Sequence, residues 1–398
     1  MPINKNHPHI LYVTTHPIAI KTFYLDRMRF LVENGFRVSV VSSPGAELDD
    51  VAKIDGVSVF PLKMSREIDF KQDPLSLVAM IWAIRKIKPN IIVYATAKAA
   101  LLAGIAAKVS GVPLKIFEAL GLRSETKEGA AKKVIELTER LTFLTADKAI
   151  CISNSLLALV AELGLSKGVE TTVLGHGSVN GVKVEDFAPT EERLKRAQAL
   201  KVELGISDDA LTVGFIGRHT HDKGVVELVT AFKELKRNFQ NIKLLLVGSE
   251  DKSDPPPRWV REAIKYDPDI LDLGFVPELP IYYHLFDIFV LPTYREGLPN
   301  VLLEASAAEK AIVATRATGC VDVITDGETG FLVPIGDAKA LASAIARLLK
   351  DPNLRRQLGK NARAFVEERF DHEEVTKAFY NEYVRLLKEK NLFIPDSK

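Results

Sequence analysis

The sequence predicts an α/β protein made of two doubly wound parallel-sheet units. Three observations predict it. Short apolar, β-branched runs alternate with longer stretches of helical period. The alternation stops once, near residue 190, and then restarts. The 398 residues, at about 100–200 per domain, suggest two or three domains. Continuous apolar strands followed by helices mark parallel sheets covered on both faces.

In order, the first strand-like runs are 9–14, 37–41, 57–61, 91–94, 115–117, 148–152 and 171–174. Amphipathic segments such as 23–34, 75–87 and 130–144 lie between them. Residues 186–205 are charged and carry no strand-like run, and Pro189-Thr190-Glu191-Glu192 reads as the cap and first turn of a helix. Strand-like runs resume at 211–216, 242–247, 270–273, 288–291, 311–314 and 330–333. Residues 373–390 form one amphipathic helix, with Val375, Phe379, Tyr383, Leu386 and Leu387 on a single stripe. The expected domains are therefore 1–188 and 206–372, followed by a tail helix over 373–398.

Composition narrows the function. With 53 Lys+Arg against 52 Asp+Glu, the formal charge is only +1. A nucleic-acid binder that relies on bulk charge would be more basic, so nucleic acid is not an expected partner. Apolar residues make up 47%, which argues against disorder. Cys151 and Cys320 are too few for a disulfide framework or a cysteine-rich zinc site. The start is polar, the run 10–13 is shorter than a signal-peptide core, and no stretch approaches the ~18 apolar residues of a membrane span. The longest rival, 95–109, carries Lys98 and Lys108 and reads as a buried helix. A cytoplasmic protein is expected. Residues 1–185 hold 23 Lys+Arg and 18 Asp+Glu, net +5, and the remainder hold 30 and 34, net −4. The split is either solvated-surface scatter or a first domain facing an anionic partner such as a phospholipid surface or a pyrophosphate-linked acceptor.

The most informative segment runs from 291 to 305. A strand ends at Pro292, the loop Gly297-Leu298-Pro299-Asn300 follows, and a helix starts near Asn300. Loops at the carboxyl ends of parallel strands are where open sheets bind ligands, and a new helix presents N–H groups and a positive dipole. Glu296 in the loop and Glu304 just past the first helical turn could contact two parts of one elongated ligand. The Glu-x7-Glu spacing alone is weak evidence, and the loop chemistry between the two residues is what strengthens it.

A second segment, 213–224, ends a strand in Gly217-Arg218 and opens the next helix with Lys223-Gly224. A glycine turn with two fixed cations suits a pyrophosphate, while the segment taken alone reads more often as a salt-bridged surface loop. It is neither a Walker loop nor the Gly-x-Gly-x-x-Gly dinucleotide fingerprint, which disfavours a nicotinamide dehydrogenase. His219 and His221 lack a third ligand nearby and read as exposed, non-metal histidines.

Together these motifs resemble the nucleotide-sugar site of retaining glycosyltransferase family 4. Gly327-Glu328-Thr329-Gly330-Phe331-Leu332-Val333-Pro334 and the Ser153-Asn154-Ser155 turn fit the same family, and the resemblance spans essentially the whole chain. The segment 174–182, Leu-Gly-His-Gly-Ser-Val-Asn-Gly-Val, resembles a subgroup that builds bacterial capsule, O-antigen or glycan chains on lipid carriers. The resemblance implies a metal-independent GT-B enzyme with no cofactor. Such an enzyme has two Rossmann-like domains facing a central cleft and a tail helix that returns to the first.

Carried onto this chain, the resemblance gives Arg218 and Lys223 the donor diphosphate and Glu296 the hydroxyls of the transferred sugar. Backbone N–H groups from Gly297 to Asn300 assist, Glu304 takes the ribose, and the base lies near Gly274-Phe275-Val276. The co-substrate implied is a UDP-sugar of N-acetylhexosamine type, and the acceptor is lipid-linked or saccharide. The first domain departs from the family pattern. Thr14-Thr15-His16-Pro17-Ile18 replaces a glycine pair, and 117–123 lacks the histidine often found near the reacting carbon. His16 or Glu118 could substitute and Arg123 could meet an acceptor phosphate, though an ordinary structural role fits each as well.

No carboxylate of the first domain declares itself as a covalent nucleophile, so a front-face substitution is the expected mechanism. The rival readings are a nucleotide-sugar epimerase of similar architecture and a non-enzymatic two-lobed sugar-binding protein. Residues 130–141 are basic at their start and amphipathic throughout. They read as a surface helix over the sheet or as an interfacial helix contacting an anionic membrane at the inner face of the cell membrane.

Overall fold

The computed structural model describes residues 7–65, 69, 71–251, 254–276 and 278–393. The polar start read over residues 1–6 and the last five residues of the tail lie outside them. The chain divides into two compact units, parting between Asn180 and Gly181 and again between Asp371 and His372. The last helix, His372–Glu389, therefore belongs with the first unit.

In the first unit the strands are β1 (His9–Val13), β2 (Arg37–Ser42), β3 (Val57–Pro61), β4 (Ile91–Tyr94), β5 (Leu114–Ala119), β6 (Lys148–Cys151) and β7 (Glu170–Thr172). They pair in parallel in the order β3-β2-β1-β4-β5-β6-β7. In the second unit β8 (Leu211–Ile216), β9 (Ile242–Val247), β10 (Ile270–Gly274), β11 (Ile288–Leu291), β12 (Ala311–Thr315) and β13 (Phe331–Val333) pair in parallel as β10-β9-β8-β11-β12-β13. Every strand falls on a run read from the sequence. The central strands β1, β4 and β11 are buried along their whole length, as parallel strands covered by helices on both faces must be. Each sheet reverses its winding once, between β1 and β4 and between β8 and β11, and the carboxyl edge at such a switch point is where open α/β sheets take ligands.

The domain bounds differ from the expected 1–188 and 206–372: the second unit starts at Gly181 and takes in the charged stretch 186–205, expected to lie between the domains as a linker. It contains the helix Glu191–Glu203, capped by Thr190 Oγ1 accepting from the Arg193 N–H at 3.3 Å. Just before it, Phe187 sets its ring edge-on to buried Tyr283, 5.6 Å between centroids, and within the helix Ala197 is buried. A charged surface helix anchored by so few apolar side chains reads as a linker in sequence.

The tail helix is held in the first unit by a buried polar cluster. The Glu118 carboxylate accepts from Arg27 Nη1 at 2.7 Å, Tyr383 Oη at 2.7 Å and Tyr24 Oη at 2.9 Å. The Arg27 guanidinium also donates to the Val179 carbonyl and lies 3.4 Å from the centre of the Phe379 ring. Arg27 and Glu118 are 2% and 0% exposed, so their charges persist only because these partners replace water.

Candidate active site

The carboxyl edge of the second sheet, at its switch point, gathers the charged motifs. The residues after β8 and those after β11 interlock there. The Tyr294 N–H and the Thr293 hydroxyl donate to the Asp222 carbonyl at 2.9 and 3.1 Å, and Arg295 Nη2 reaches the Asp222 carboxylate at 2.8 Å. Gly224 has a φ of +71°, and a Cβ there would meet the Pro292 carbonyl oxygen at 1.9 Å. Only glycine lets the Lys223 turn seat against the end of β11.

That seating brings Lys223 Nζ into a salt bridge with Glu296 Oε1, both side chains largely buried. Arg218 is about half exposed and pairs with Asp251 at 2.5 Å. Leu298 and Pro299 are buried. The helix Asn300–Ala307 begins after Pro299 with no side-chain cap. Behind it Gly319, φ +76°, lies against Gly297, where a Cβ would stand 2.5 Å from the Gly297 carbonyl oxygen. Glu304 is partly buried and accepts the Tyr283 hydroxyl on Oε2 at 2.7 Å. Burial raises its pKa against the opposing pull of that bond. Val276 is buried, whereas Phe275 beside it is 81% exposed.

The histidines divide. His221 stacks loosely on Tyr294, 5.1 Å between centroids, while His219 is buried, contrary to the expectation that both are exposed. The cause is local: residue 219 pairs with Glu250 as an extra bridge beside β9, and its N–H donates to the Ser249 carbonyl at 2.9 Å. Burial lowers the pKa of its ring. Among the described residues no cluster of three His, Cys, Asp or Glu side chains could hold a metal.

Two models of known families match the chain: "Glycosyl transferases group 1" over residues 197–365 and "Glycosyl transferase 4-like" over 9–153. The capsular polysaccharide biosynthesis glycosyltransferase CapM of Staphylococcus aureus is 34% identical, covering 91% of this chain and 93% of its own length. The chain belongs to this glycosyltransferase family. An Escherichia coli relative is the UDP-Gal:α-D-GlcNAc-diphosphoundecaprenol α-1,3-galactosyltransferase, 22% identical over 91% of this chain and 93% of its own length. Among solved structures, sucrose-phosphate synthase from Thermosynechococcus elongatus superposes with a TM-score of 0.79 at 21% identity, covering 96% of this chain and all of that one. This likeness carries the fold, two Rossmann-like units of GT-B type.

For the glycosyltransferase, the first-unit candidates fare differently from one another. Glu118 is no acceptor-side group: it lies in the core of β5 with both oxygens engaged by Arg27, Tyr24 and Tyr383. His16 is exposed at the carboxyl end of β1, where its carbonyl accepts from Thr14 Oγ1 at 3.0 Å. Arg123 follows β5, and its N–H donates to Glu139 Oε1 at 2.7 Å. Asp251, Asp222, Arg295 and Tyr283, which fix the charged side chains of the second unit, were not singled out from sequence. Of the four only Arg295 lies in the informative segment 291–305.

Proposed function

We propose that this enzyme transfers a sugar of N-acetylhexosamine type from a UDP-sugar to a lipid-linked or saccharide acceptor, with retention of anomeric configuration, in bacterial surface-polysaccharide assembly. The observation that carries the reading is the Lys223–Glu296 pair at the second sheet's switch point, beside a helix that starts without a side-chain cap. A cation and a carboxylate held together there fit a sugar diphosphate: the ammonium takes phosphate oxygens and the carboxylate takes sugar hydroxyls. Arg218 supplies a second cation, and the assignment includes no cofactor and no resident metal. The Glu304 carboxylate takes the two ribose hydroxyls on Oε1, its other oxygen being held by Tyr283. Phe275 and Val276 mark where the base lies. What the E. coli relative's name says of its UDP donor and diphosphoundecaprenol acceptor supports the same classes here.

In the reaction the bond from the anomeric carbon to the diphosphate oxygen breaks while a bond to the acceptor hydroxyl forms on the same face. The departing diphosphate oxygen takes the acceptor proton. Lys223 and Arg218 stabilise the negative charge growing on that oxygen, and the protein's part is positioning and fixed charge. A nucleotide-sugar panel with lipid-linked acceptors, read by UDP release and product NMR, tests this. Transfer with a retained anomer is expected. An inverted product overturns the retaining mechanism, and epimerisation of the donor without acceptor overturns transfer.

Membrane contact belongs to the same reading. Among the described residues no helix is long and apolar enough to cross a membrane. The helix Gly129–Thr145 begins with Lys132 and Lys133 and exposes Val134, Leu137, Leu141 and Leu144, as a helix lying on an anionic inner-leaflet surface would. Co-sedimentation with anionic liposomes at low salt is expected, and its absence would remove this part of the proposal.

A further inference from the structure

The first unit holds a cavity of about 340 Å³, within the size range of small-molecule sites. It opens between the segment after β4 (Thr96, Ala97, Lys98) and the segment after β5 (Leu120 to Arg123), on the carboxyl edge where such sheets take ligands. Its inner wall is hydrocarbon: Leu102, Phe117, Leu122 and Phe143 are all under 10% exposed. The helix Gly129–Thr145 closes one side with Val134 and Ile135.

Three features mark this as more than loose packing. Thr96 has a φ of +64°, an outlier for a β-branched residue, and it is held there by Thr15, whose N–H and hydroxyl meet Thr96 Oγ1 at 3.0 and 2.9 Å. The helices beside the cavity continue its apolar surface outward, through Leu75, Val78 and Trp82 on Gln72–Ile87 and through Val134, Leu137 and Leu141 on Gly129–Thr145. The charged groups lining the cavity are Lys98 and Arg123 with Asp73 and Glu139. Both acids are engaged within the fold, Asp73 with Lys98 at 2.7 Å and Glu139 with the Ser124 hydroxyl at 2.6 Å. An apolar pocket with Lys98 and Arg123 at its mouth complements an amphiphile with an anionic head and a hydrocarbon chain.

We infer that this cavity receives the proximal hydrocarbon chain of a diphosphate-linked lipid acceptor, with the phosphates at the rim formed by Thr96, Lys98 and Arg123. The inference rests on the lipid-acceptor reading above and adds where the lipid is read. It makes the enzyme selective for the chain as well as for the sugar.

The test is binding of geranyl diphosphate and inorganic diphosphate to the full chain by calorimetry. Geranyl diphosphate is expected to bind at least about tenfold more tightly, because only it buries hydrocarbon. Ala97→Trp, an exposed position at the mouth, and Ile135→Asp, a charge in the wall, should each erase that preference while leaving UDP affinity and the thermal melt at wild-type values. Equal binding of the two diphosphates by the wild type overturns the inference. So does a preference that survives both variants. Chain-dependent binding lost in Ala97→Trp, in an enzyme that transfers no sugar to any lipid-linked acceptor, would uphold the cavity and sink the acceptor reading instead.

Discussion

The two sheets wind the same way and reverse at the same kind of place, yet their carboxyl edges are built from opposite materials. In the second unit the edge is ionic: Lys223 pairs with Glu296, Arg218 with Asp251 and Arg295 with Asp222. In the first unit the edge opens into a hydrocarbon-walled cavity with the pair Lys98–Asp73 at its rim, and the fully buried pair nearby, Arg27–Glu118, serves the core. One topology therefore supplies a place for a ligand and says nothing of its chemistry, which is set by the loops. A charged pair at an edge that solvent reaches is available for exchange with a ligand. A charged pair sealed in the core holds the fold.

The largest expected effect tests that last distinction. Glu118→Ala leaves the Arg27 guanidinium buried without its carboxylate, and breaking a buried pair in this way costs about 3–5 kcal/mol. Chemical denaturation should show the loss, with UDP affinity unchanged in whatever fraction stays folded. A stable Glu118→Ala enzyme that has lost only acceptor turnover would return Glu118 to the acceptor side. Next comes the ionic edge. Lys223→Ala and Arg218→Ala should each lower kcat by about 10²–10³ at saturating donor, the usual cost of removing one fixed partner of a developing charge, with melting little changed in Arg218→Ala and lowered in Lys223→Ala, which leaves Glu296 unpaired. Near-wild-type turnover in either would detach that residue from the diphosphate. Glu304→Ala is milder: losing hydrogen bonds to a charged group is worth about 1.5–3 kcal/mol, so UDP should bind about 10–100-fold more weakly by calorimetry. An unchanged UDP affinity would move the ribose elsewhere.

The two edges also differ in how far sequence reveals them. Strand runs, both sheets and the tail helix are legible because apolar periodicity is the physical cause of burial. Lys223-Gly224 and Glu296 stand out in sequence because each carries a charge at a strand end beside glycine, and the fold then brings the two charges together. The cavity is not, because Leu102, Phe117 and Phe143 look the same in sequence whether they line a site or fill a core. Glu118 was open to misreading for the converse reason: a carboxylate in an apolar strand signals function or a buried partner. The deciding signal lay elsewhere, in Arg27, a cation on the same stripe as Ile20, Tyr24, Met28 and Leu31, all buried. A buried cation on one element calls for a buried anion on another. What the periodicity could not supply was which two elements meet.

The smallest expected effect asks whether the units soften together in acid. His9 in the first unit and His284 in the second both have pKa values lowered to about 4, chiefly by burial, with Arg37 adding to the first and Lys310 to the second. An unfolded histidine titrates near 6.5, so between pH 6.5 and about 4 the unfolded chain binds more protons than the folded one. Stability is therefore full above pH 6.5 and falls on acidification through that window in both units. Carboxylates add a further dependence at lower pH in both units, Asp269 of the second being held low by Lys236 and Lys243. Glu382 on the tail helix is held to about 2 by its hydrogen bond to Arg385, against a cost from burial, and by its bond and charge interaction with Lys148. Its contribution is present above the ordinary glutamate range and is lost as pH falls from about 4.5 towards 2. Thermal melts from pH 7 to 3 should then show a shared decline, flattened above pH 4 by His9→Asn in one unit and His284→Gln in the other. Glu382→Gln should flatten part of the lower limb and leave the upper one unchanged. A lower limb unmoved by Glu382→Gln would mean that this carboxylate gains nothing in the folded chain from Arg385 and Lys148.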